Sequence, residues 1–128
     1  MPRETQDLAR QARRLVTPQK VLLAVDDPAP TVERRFRWAG LSSTAEDRRA
    51  YRQMLFTTPG LEEHVSGVVL SDEAIRQRVT KGPSFAELLT ERQIMPGIRV
   101  DLGQRRLTDS PRESVTAGIE QLAGRLEE

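Results

Sequence analysis

Three short apolar runs stand out along the chain and are the best candidates for β-strands. They occupy residues 21–26 (VLLAVD), 65–70 (VSGVVL) and 97–102 (GIRVDL). Continuous runs rich in Val, Leu and Ile between turn residues are typical of strands that are buried on both faces, as in parallel sheets. The pattern therefore predicts a parallel sheet of three strands.

Helical periodicity fills the intervals around these runs. Apolar residues spaced by three and four predict one helix over residues 4–16, before the first strand, and another over 32–39. Thr44 opens a longer helix, because Asp47 three residues later completes the pattern of a capping box. Three further helices are predicted, over residues 72–79, 84–93 and 112–126.

The last of these helices has a strong start signal. Ser110 suits the N-cap, Pro111 the first helical position and Glu113 the third. The chain thus reads as a helix followed by three strand–helix repeats, an order that favours an α/β fold with parallel strands and right-handed crossovers. A length of 128 residues suits one domain, spanning residues 1–128.

Composition and charge narrow the classes of function. The net charge is +1, from 20 basic and 19 acidic side chains, and this balance argues against a nucleic-acid partner. The absence of cysteine excludes disulfides, thiolate zinc sites and cysteine nucleophiles. No apolar run approaches the roughly 20 residues of a membrane span. The start of the sequence also lacks the apolar region of a signal peptide, so we expect a cytoplasmic protein that binds no membrane.

A few polar residues lie in or next to the predicted strands, where they could take part in binding or catalysis. Asp26 ends the first predicted strand, and could either contact a substrate or act as a solvated cap of the next helix. Arg99 and Asp101 share one face of the third predicted strand and could neutralise each other. His64 is the single histidine, and no metal-ligand spacing surrounds it, so a surface position is expected and no metal site is predicted.

Four stretches, in order, resemble the N-terminal third of class I fructose-bisphosphate aldolases. The first, LVTPQKVLLAVDD, is similar to that family's first-strand block, and MPGIRVDLG and ESVTAGIEQLAGRL are similar to its third strand and the helix after it. The most specific stretch is WAGLSSTAEDRRAYRQMLFTTPGLEEHVSGVVL, with a helix ending in Gly, an acidic and double-Arg helix and a Gly-containing strand. The similarity runs in register over roughly residues 8–126.

The resemblance implies part of a (β/α)8 TIM barrel, in which an N-terminal helix precedes three parallel strand–helix units. A complete barrel typically needs about 250 residues, roughly twice this chain. The family cleaves fructose 1,6-bisphosphate, in glycolysis, to dihydroxyacetone phosphate and glyceraldehyde 3-phosphate. It works through a lysine Schiff base, without cofactor or metal, and its two catalytic lysines and catalytic glutamate belong to later strands. Neither Lys20 nor Lys81 matches them, so we expect this chain to be inactive alone.

The same resemblance assigns candidate site residues. It implies that Asp26 positions the substrate and tunes the neighbouring lysine, and that Thr31 and Arg35 occupy phosphate-contacting positions. Arg99 stands where the family has a lysine that contacts substrate phosphate, and arginine keeps the charge with a different geometry. Two structural alternatives remain open: Thr31 as the N-cap of the helix over 32–39, and Arg99 in an ion pair.

The loop after the first strand departs from the family pattern. Pro28 stands in place of a substrate-binding Ser, and Pro30 in place of a Gly. Since proline has no N–H to donate, the substrate contacts of this loop are expected to be altered.

Other kinds of function compete with that of an aldolase segment. Three strands without closure expose sheet edges, which recruit partners, so the chain could be a non-catalytic interaction module, a homo-oligomer or a half-barrel completed by a complementary chain. Nucleic-acid binding would need the arginine pairs at 34–35 and 48–49, which we interpret instead as solvated helix faces.

Overall fold

The parallel sheet predicted from the apolar runs is present in the first of two units, which ends at Ile98. The computed structural model describes residues 3–127. In chain order, the elements of the first unit are α1 (Arg3–Leu15), β1 (Val21–Val25), α2 (Ala29–Trp38), α3 (Ala45–Phe56), α4 (Leu61–His64), β2 (Val65–Leu70), α5 (Asp72–Ile75), α6 (Phe85–Glu91) and β3 (Met95–Ile98). From Arg99 onward, the second unit contains β4 (Gln104–Leu107), β5 (Ser110–Thr116), a 3₁₀ turn (Ile119–Gln121) and α7 (Leu122–Glu127).

The three strands pair in the order β1-β2-β3, with both pairs parallel, as predicted. β1 pairs with β2 from Val21 opposite Val65 onward, with one irregularity after Val21. β3 begins with Met95 opposite Gly67 and ends at Ile98, so it lies earlier than the run predicted over 97–102. The arrangement is an open parallel sheet of three adjacent strands.

The core of this unit lies between β2 and the helices that cover it. β2 is buried almost throughout, because it has a strand on each side and helices on its outer face. Phe56 and Phe85 meet edge to face, with ring centroids 5.1 Å apart. The buried cluster consists of Phe56, Val65, Val68, Leu70, Ala74, Phe85, Leu89 and Ile94.

Capping boxes begin the two helices that carry aromatic residues into this core. Thr44 caps α3, where its hydroxyl accepts from the Asp47 N–H at 3.1 Å and its N–H donates to the Asp47 carboxylate at 2.9 Å. This cap was predicted. Ser84 and Glu87 form the same reciprocal pair at the start of α6. Each box satisfies backbone donors that the first helical turn leaves unpaired.

Several predicted helix bounds were wrong. The helix expected over 32–39 begins at Ala29, after an extended Pro28 at the N-cap. Pro30 lies in its first turn, where proline is favourable. Thr31 therefore lies inside α2 and is not its N-cap. The helix expected over 72–79 is limited to α5, because the chain turns back to bridge residues Arg78 and Ser84.

The prediction of a helix over 112–126 was also wrong. Residues 110–116 form β5, which pairs antiparallel with β4 and makes a hairpin. The ladder continues beyond the strands, since the Leu102 N–H donates to the Ala117 carbonyl and the Ala117 N–H to the Gly103 carbonyl, both at 2.9 Å. Pro111 is compatible with this hairpin because an exposed edge needs no N–H donor. Helix resumes only after Gly118, at a φ of 101°.

Membrane insertion finds no support in the described helices. Within residues 3–127, none combines the length and the apolar character that crossing a bilayer requires.

Gly67 lies where the end of α1 packs tightly against the sheet. A Cβ built on Gly67 would lie 2.8 Å from Leu15 Cδ2, 3.0 Å from Leu22 Cδ2 and 3.2 Å from the Met95 carbonyl oxygen. The neighbouring Ser66 hydroxyl donates to the Leu15 carbonyl at 2.6 Å, so the end of α1 has little room to retreat.

We predict that Gly67→Ala lowers the free energy of unfolding by about 1–3 kcal/mol, because the added methyl overpacks this contact. Gly97→Ala is the matched control, since a Cβ there would meet only the Val68 carbonyl at 3.6 Å. It should leave stability unchanged or raise it by up to about 1 kcal/mol. Urea denaturation followed by circular dichroism measures both, and equal effects would contradict the packing argument.

Candidate functional site

The candidate site lies at the carboxyl ends of β1 and β2, the edge of a parallel sheet where barrel enzymes place their chemistry. Asp26 follows β1 directly and is half-buried. By the alternation of the strand, it shares the face of Leu22 and Ala24. On the side of β2, Ser71 caps α5 by accepting from the Ala74 N–H at 3.2 Å.

α2 brings two more predicted site residues to the loop after β1. Thr31 and Arg35 lie one turn apart on one face of this helix. Thr31 is half-buried, and its N–H donates to the Pro28 carbonyl at 2.9 Å. Arg35 forms an ion pair with Asp27, the residue next to Asp26. The structure thus gathers Asp26, Thr31 and Arg35 around one loop, with a cation already held there by a carboxylate.

Arg99 lies in the second unit, just beyond the end of β3, and is paired with Asp101 as the structural alternative expected. Its Nη2 is 3.0 Å from Asp101 Oδ1, and its Nε is 3.2 Å from Asp101 Oδ2. The Gly103 N–H also donates to this carboxylate, at 2.8 Å. The hydrogen bond from Arg99, followed by that from Gly103, lowers the pKa of Asp101 below its ordinary value of 3.8. Arg99 is therefore held by a charged carboxylate in a loop.

An arginine–glutamate cluster lies close to the same end of the sheet, and sequence reasoning missed it. Arg48 binds Glu73 with two nitrogens, Nη2 to Oε1 at 2.6 Å and Nε to Oε2 at 2.9 Å. Arg52, whose side chain is 3% exposed, donates to Glu73 Oε2 at 2.8 Å and to Gln77 Oε1 at 2.7 Å. The cluster ties α3 to α5, the helix that follows β2.

The interpretation of Arg48 and Arg49 as a solvated helix face was wrong. Both side chains are largely buried, because this face of α3 packs towards α5 and the loop after it. The i, i+4 spacing of Arg48 and Arg52 was the available signal, since it places two cations on one helix face. A long-range carboxylate partner for them was not evident from local pattern.

The hydrogen bond from Arg48 is the largest influence on Glu73, and it lowers the pKa of this carboxyl below the ordinary 4.5. Burial works in the opposite direction, while the hydrogen bond from Arg52 adds to the lowering. Glu73 therefore stays charged at neutral pH, and it serves as an anion that organises two guanidinium groups.

Neither lysine lies at the carboxyl edge of the sheet. Lys20 precedes β1, at the opposite end, and its Nζ donates to the Glu62 carbonyl at 2.7 Å. Lys81 is exposed in the connection between α5 and α6, with a φ of 55°. His64 ends α4 and is exposed, as predicted. Across residues 3–127, the structure groups no three His, Cys, Asp or Glu side chains that could hold a metal ion.

Comparison with known proteins places this site in context. The family model for class I fructose-bisphosphate aldolase matches residues 7–128. A probable class 1 fructose-bisphosphate aldolase of Xanthomonas campestris is 43% identical over 123 residues, which cover 96% of this chain and 37% of that protein. A fructose-bisphosphate aldolase of Echinococcus multilocularis is 44% identical over 120 residues, covering 93% and 33%.

Comparison of the structure with solved structures also finds a fructose-bisphosphate aldolase. The chain superposes with a TM-score of 0.90 and 36% identity on the fructose-bisphosphate aldolase of Plasmodium falciparum, solved in complex with TRAP and a small-molecule inhibitor. The match covers 98% of this chain and 36% of that one. The chain therefore spans about a third of the length of the relatives it matches.

Replacing Glu73 tests the arginine cluster. We predict that Glu73→Gln lowers the free energy of unfolding by about 2–3 kcal/mol at pH 7, because buried Arg52 loses its counter-charge. A lowered folded pKa gives stability that is present above the ordinary value of 4.5 and is lost as pH falls through the folded pKa. The difference between wild type and variant should therefore shrink in acid.

The control for this experiment is Glu91→Gln, a change at an exposed position of α6. Urea melts of both variants from pH 7 to pH 3 provide the comparison. If the difference in free energy of unfolding between wild type and Glu73→Gln did not change with pH, the loss of stability would come from altered packing and not from the lost charge.

Proposed function

This chain belongs to the class I fructose-bisphosphate aldolase family, and from that membership we propose that it supplies the first three strands of an aldolase barrel and part of its substrate-binding edge. The observation that carries the proposal is the grouping of Asp26, Thr31 and Arg35 at the carboxyl end of β1. In a barrel enzyme this edge faces the substrate. The residues would serve a lyase of glycolysis acting in the cytoplasm on a phosphorylated sugar.

We propose distinct roles for these side chains. Asp26 would orient the sugar and adjust the protonation of the Schiff-base lysine supplied by later strands. Thr31 and Arg35 would bind one phosphate, with the hydroxyl donating one hydrogen bond and the guanidinium two. Arg35 is well placed to do so because its side chain is mostly exposed and its pairing with Asp27 holds it beside the loop.

Arg99 would contact phosphate as well. Its pairing with Asp101 supports this role in one respect, since an arginine already fixed by a carboxylate loses less conformational freedom on binding an anion. A phosphate bound there would have to share the guanidinium of Arg99 with Asp101.

The chain alone is proposed to lack aldolase activity. Schiff-base chemistry needs an amine that attacks the substrate carbonyl from within the site. Lys20 lies at the opposite end of β1 and is bound to the Glu62 carbonyl, while Lys81 lies in an exposed connection. Both positions support the view that the catalytic lysines belong to the part of the barrel that this chain does not span.

A second candidate is a non-catalytic interaction module, or a half-barrel that assembles with a complementary chain or another copy. It is favoured by the sheet itself, in which β1 and β3 each pair with β2 on one side only within the described residues. Free parallel edges invite further strands. If the chain is a half-barrel, its assembly with a complementary chain would give the same aldolase barrel from two polypeptides.

We predict that the purified chain does not cleave fructose 1,6-bisphosphate and forms no stable adduct when treated with dihydroxyacetone phosphate and borohydride. The reason is that neither lysine lies at the sheet edge that would hold the substrate. Intact-mass spectrometry measures the adduct, with a complete aldolase as positive control. A reduced adduct on Lys20 or Lys81 would overturn the proposal of inactivity.

We further predict that activity appears when the chain is refolded with a polypeptide carrying the part of the Xanthomonas campestris relative that it does not match. In this complex, Asp26→Asn should lower kcat by about a hundredfold, the scale of a group that assists proton transfer. Asp109→Asn, at the exposed turn of the β4–β5 hairpin, is the matched control and should leave kcat unchanged. Equal kcat values for the two variants would show that Asp26 does not contribute to the reaction.

A further inference from the structure

The segment that carries Arg99 begins where the parallel ladder stops. The pairing of β3 with β2 ends at Ile98, so hydrogen bonds to β2 do not fix the backbone that follows. Residues 99–103 lead from there to β4 in the second unit, and Arg99 and Asp101 are both half-buried in this segment. Contacts within the second unit must therefore determine where the guanidinium of Arg99 points.

Arg125 of α7 supplies the first of these contacts. Its Nη1 donates to the Val100 carbonyl at 2.7 Å, and its Nη2 donates to the Arg99 carbonyl at 3.0 Å. One planar guanidinium thus binds two consecutive carbonyl groups, which fixes their orientation. Arg125 is half-buried, and hydrogen bonds from a cation are stronger than those between neutral groups. The backbone of Arg99 is consequently anchored to a helix that lies far from it in sequence.

The turn before α7 passes very close to the same segment. A Cβ built on Gly118 would lie 2.8 Å from Leu102 Cγ and 3.0 Å from the Leu102 nitrogen. The Leu102 N–H also donates to the Ala117 carbonyl, at the base of the hairpin. Close packing at this turn therefore sets where α7 begins, and with it the position of Arg125.

Asp101 holds the other end of the Arg99 side chain. Its carboxylate accepts from Arg99 at 3.0 and 3.2 Å, and from the Gly103 N–H at 2.8 Å. Arg125 thus restrains the backbone of Arg99, while Asp101 restrains its guanidinium. A side chain that is ordered before it meets a ligand loses less conformational entropy when the ligand binds.

We propose that Arg125 is a positioning residue for the contact between Arg99 and a substrate phosphate. This inference rests on the proposed function, in which Arg99 binds that phosphate. Arg125 acts through the backbone, because its terminal nitrogens hold the carbonyls of Arg99 and Val100. The helix α7 thereby becomes a support of the phosphate site, although its own side chain works at one remove from the ligand.

A purely electrostatic role for Arg125 is the competing explanation. A second cation near Arg99 would attract an anionic ligand in any orientation, and a lysine would serve as well. Positioning instead requires two donors on one rigid plane, which the compact ammonium of lysine does not offer. The observed geometry, with neighbouring nitrogens on neighbouring carbonyls, favours positioning.

A double-mutant cycle on the full chain tests the proposal. Fructose 1,6-bisphosphate is titrated into each variant, and its Kd is measured from the backbone amide signal of Gly103 in ¹H–¹⁵N NMR spectra. We expect Arg125→Gln to raise Kd about three- to tenfold, the scale of losing the order of one long side chain. Arg125→Lys should keep Kd well above the wild-type value. In the Arg99→Gln background, Arg125→Gln should raise Kd no further.

The order of the Arg99 side chain is a second readout, independent of any ligand. The heteronuclear NOE of its Nε–H group should be high in the wild-type chain and lower in Arg125→Gln. Arg112→Gln is the matched control, because it removes the same charge from an exposed position of β5. It should change neither Kd nor the NOE. The amide signals of Leu102 and Ala117 report whether the second unit stays folded, and Arg125→Lys carries the comparison if Arg125→Gln does not.

The outcomes separate this inference from the proposed function. No saturable shift of Gly103 in the wild-type chain, or equal Kd for wild type and Arg99→Gln, would show that Arg99 does not bind phosphate, and both proposals about it would be wrong. If Arg99→Gln raises Kd but Arg125→Gln behaves like Arg112→Gln, positioning is wrong and the proposed role of Arg99 stands. Full affinity in Arg125→Lys, or an equal effect of Arg125→Gln with and without Arg99, would mean that the charge of Arg125 acts directly and would also overturn the inference.

Discussion

Burial of β2 is the constraint on which the rest of this structure depends. The strand lies between β1 and β3 and takes its register with both. The helix layer packs on it through Phe56 and Leu89. On β2, Gly67 lets the end of α1 approach so closely that a methyl group would meet Leu15. Because both neighbouring strands are aligned by β2, the position of the site-bearing loop after β1 follows from the packing of this one strand.

The arginine–glutamate cluster extends that constraint to the functional edge of the sheet. Arg52 is almost completely buried, and a buried guanidinium is tolerated only when its charge and its donors are satisfied. Glu73 and Gln77 provide this, and Arg48 shares the same carboxylate. The result is a charged contact that joins the long helix α3 to the segment after β2, close to the carboxyl edge of the sheet.

The exposed apolar residues of the chain fit its length, which is about a third of that of the relatives it matches. In a closed barrel, the apolar residues of an edge strand and of the adjoining helices are covered by the neighbouring unit. Here Leu22, Trp38 and Met54 remain exposed. The low share of aromatic and apolar residues is consistent with a chain whose packing surfaces belong to a larger core.

By itself, the sequence determined the elements whose signals are local: the three parallel strands, α1, and the start of α3 at Thr44. It also placed Asp26 at a strand end, because an acid directly after an apolar run needs no distant partner to be recognised. Residues 110–116 could not be predicted in this way. Ser110 and Pro111 locally favour the start of a helix, but pairing with β4 makes a strand more favourable. Only the tertiary structure decided that, together with the burial of Arg48 and Arg52 against Glu73. Both depend on contacts between residues distant in sequence, and the free energy of such contacts outweighs local propensity.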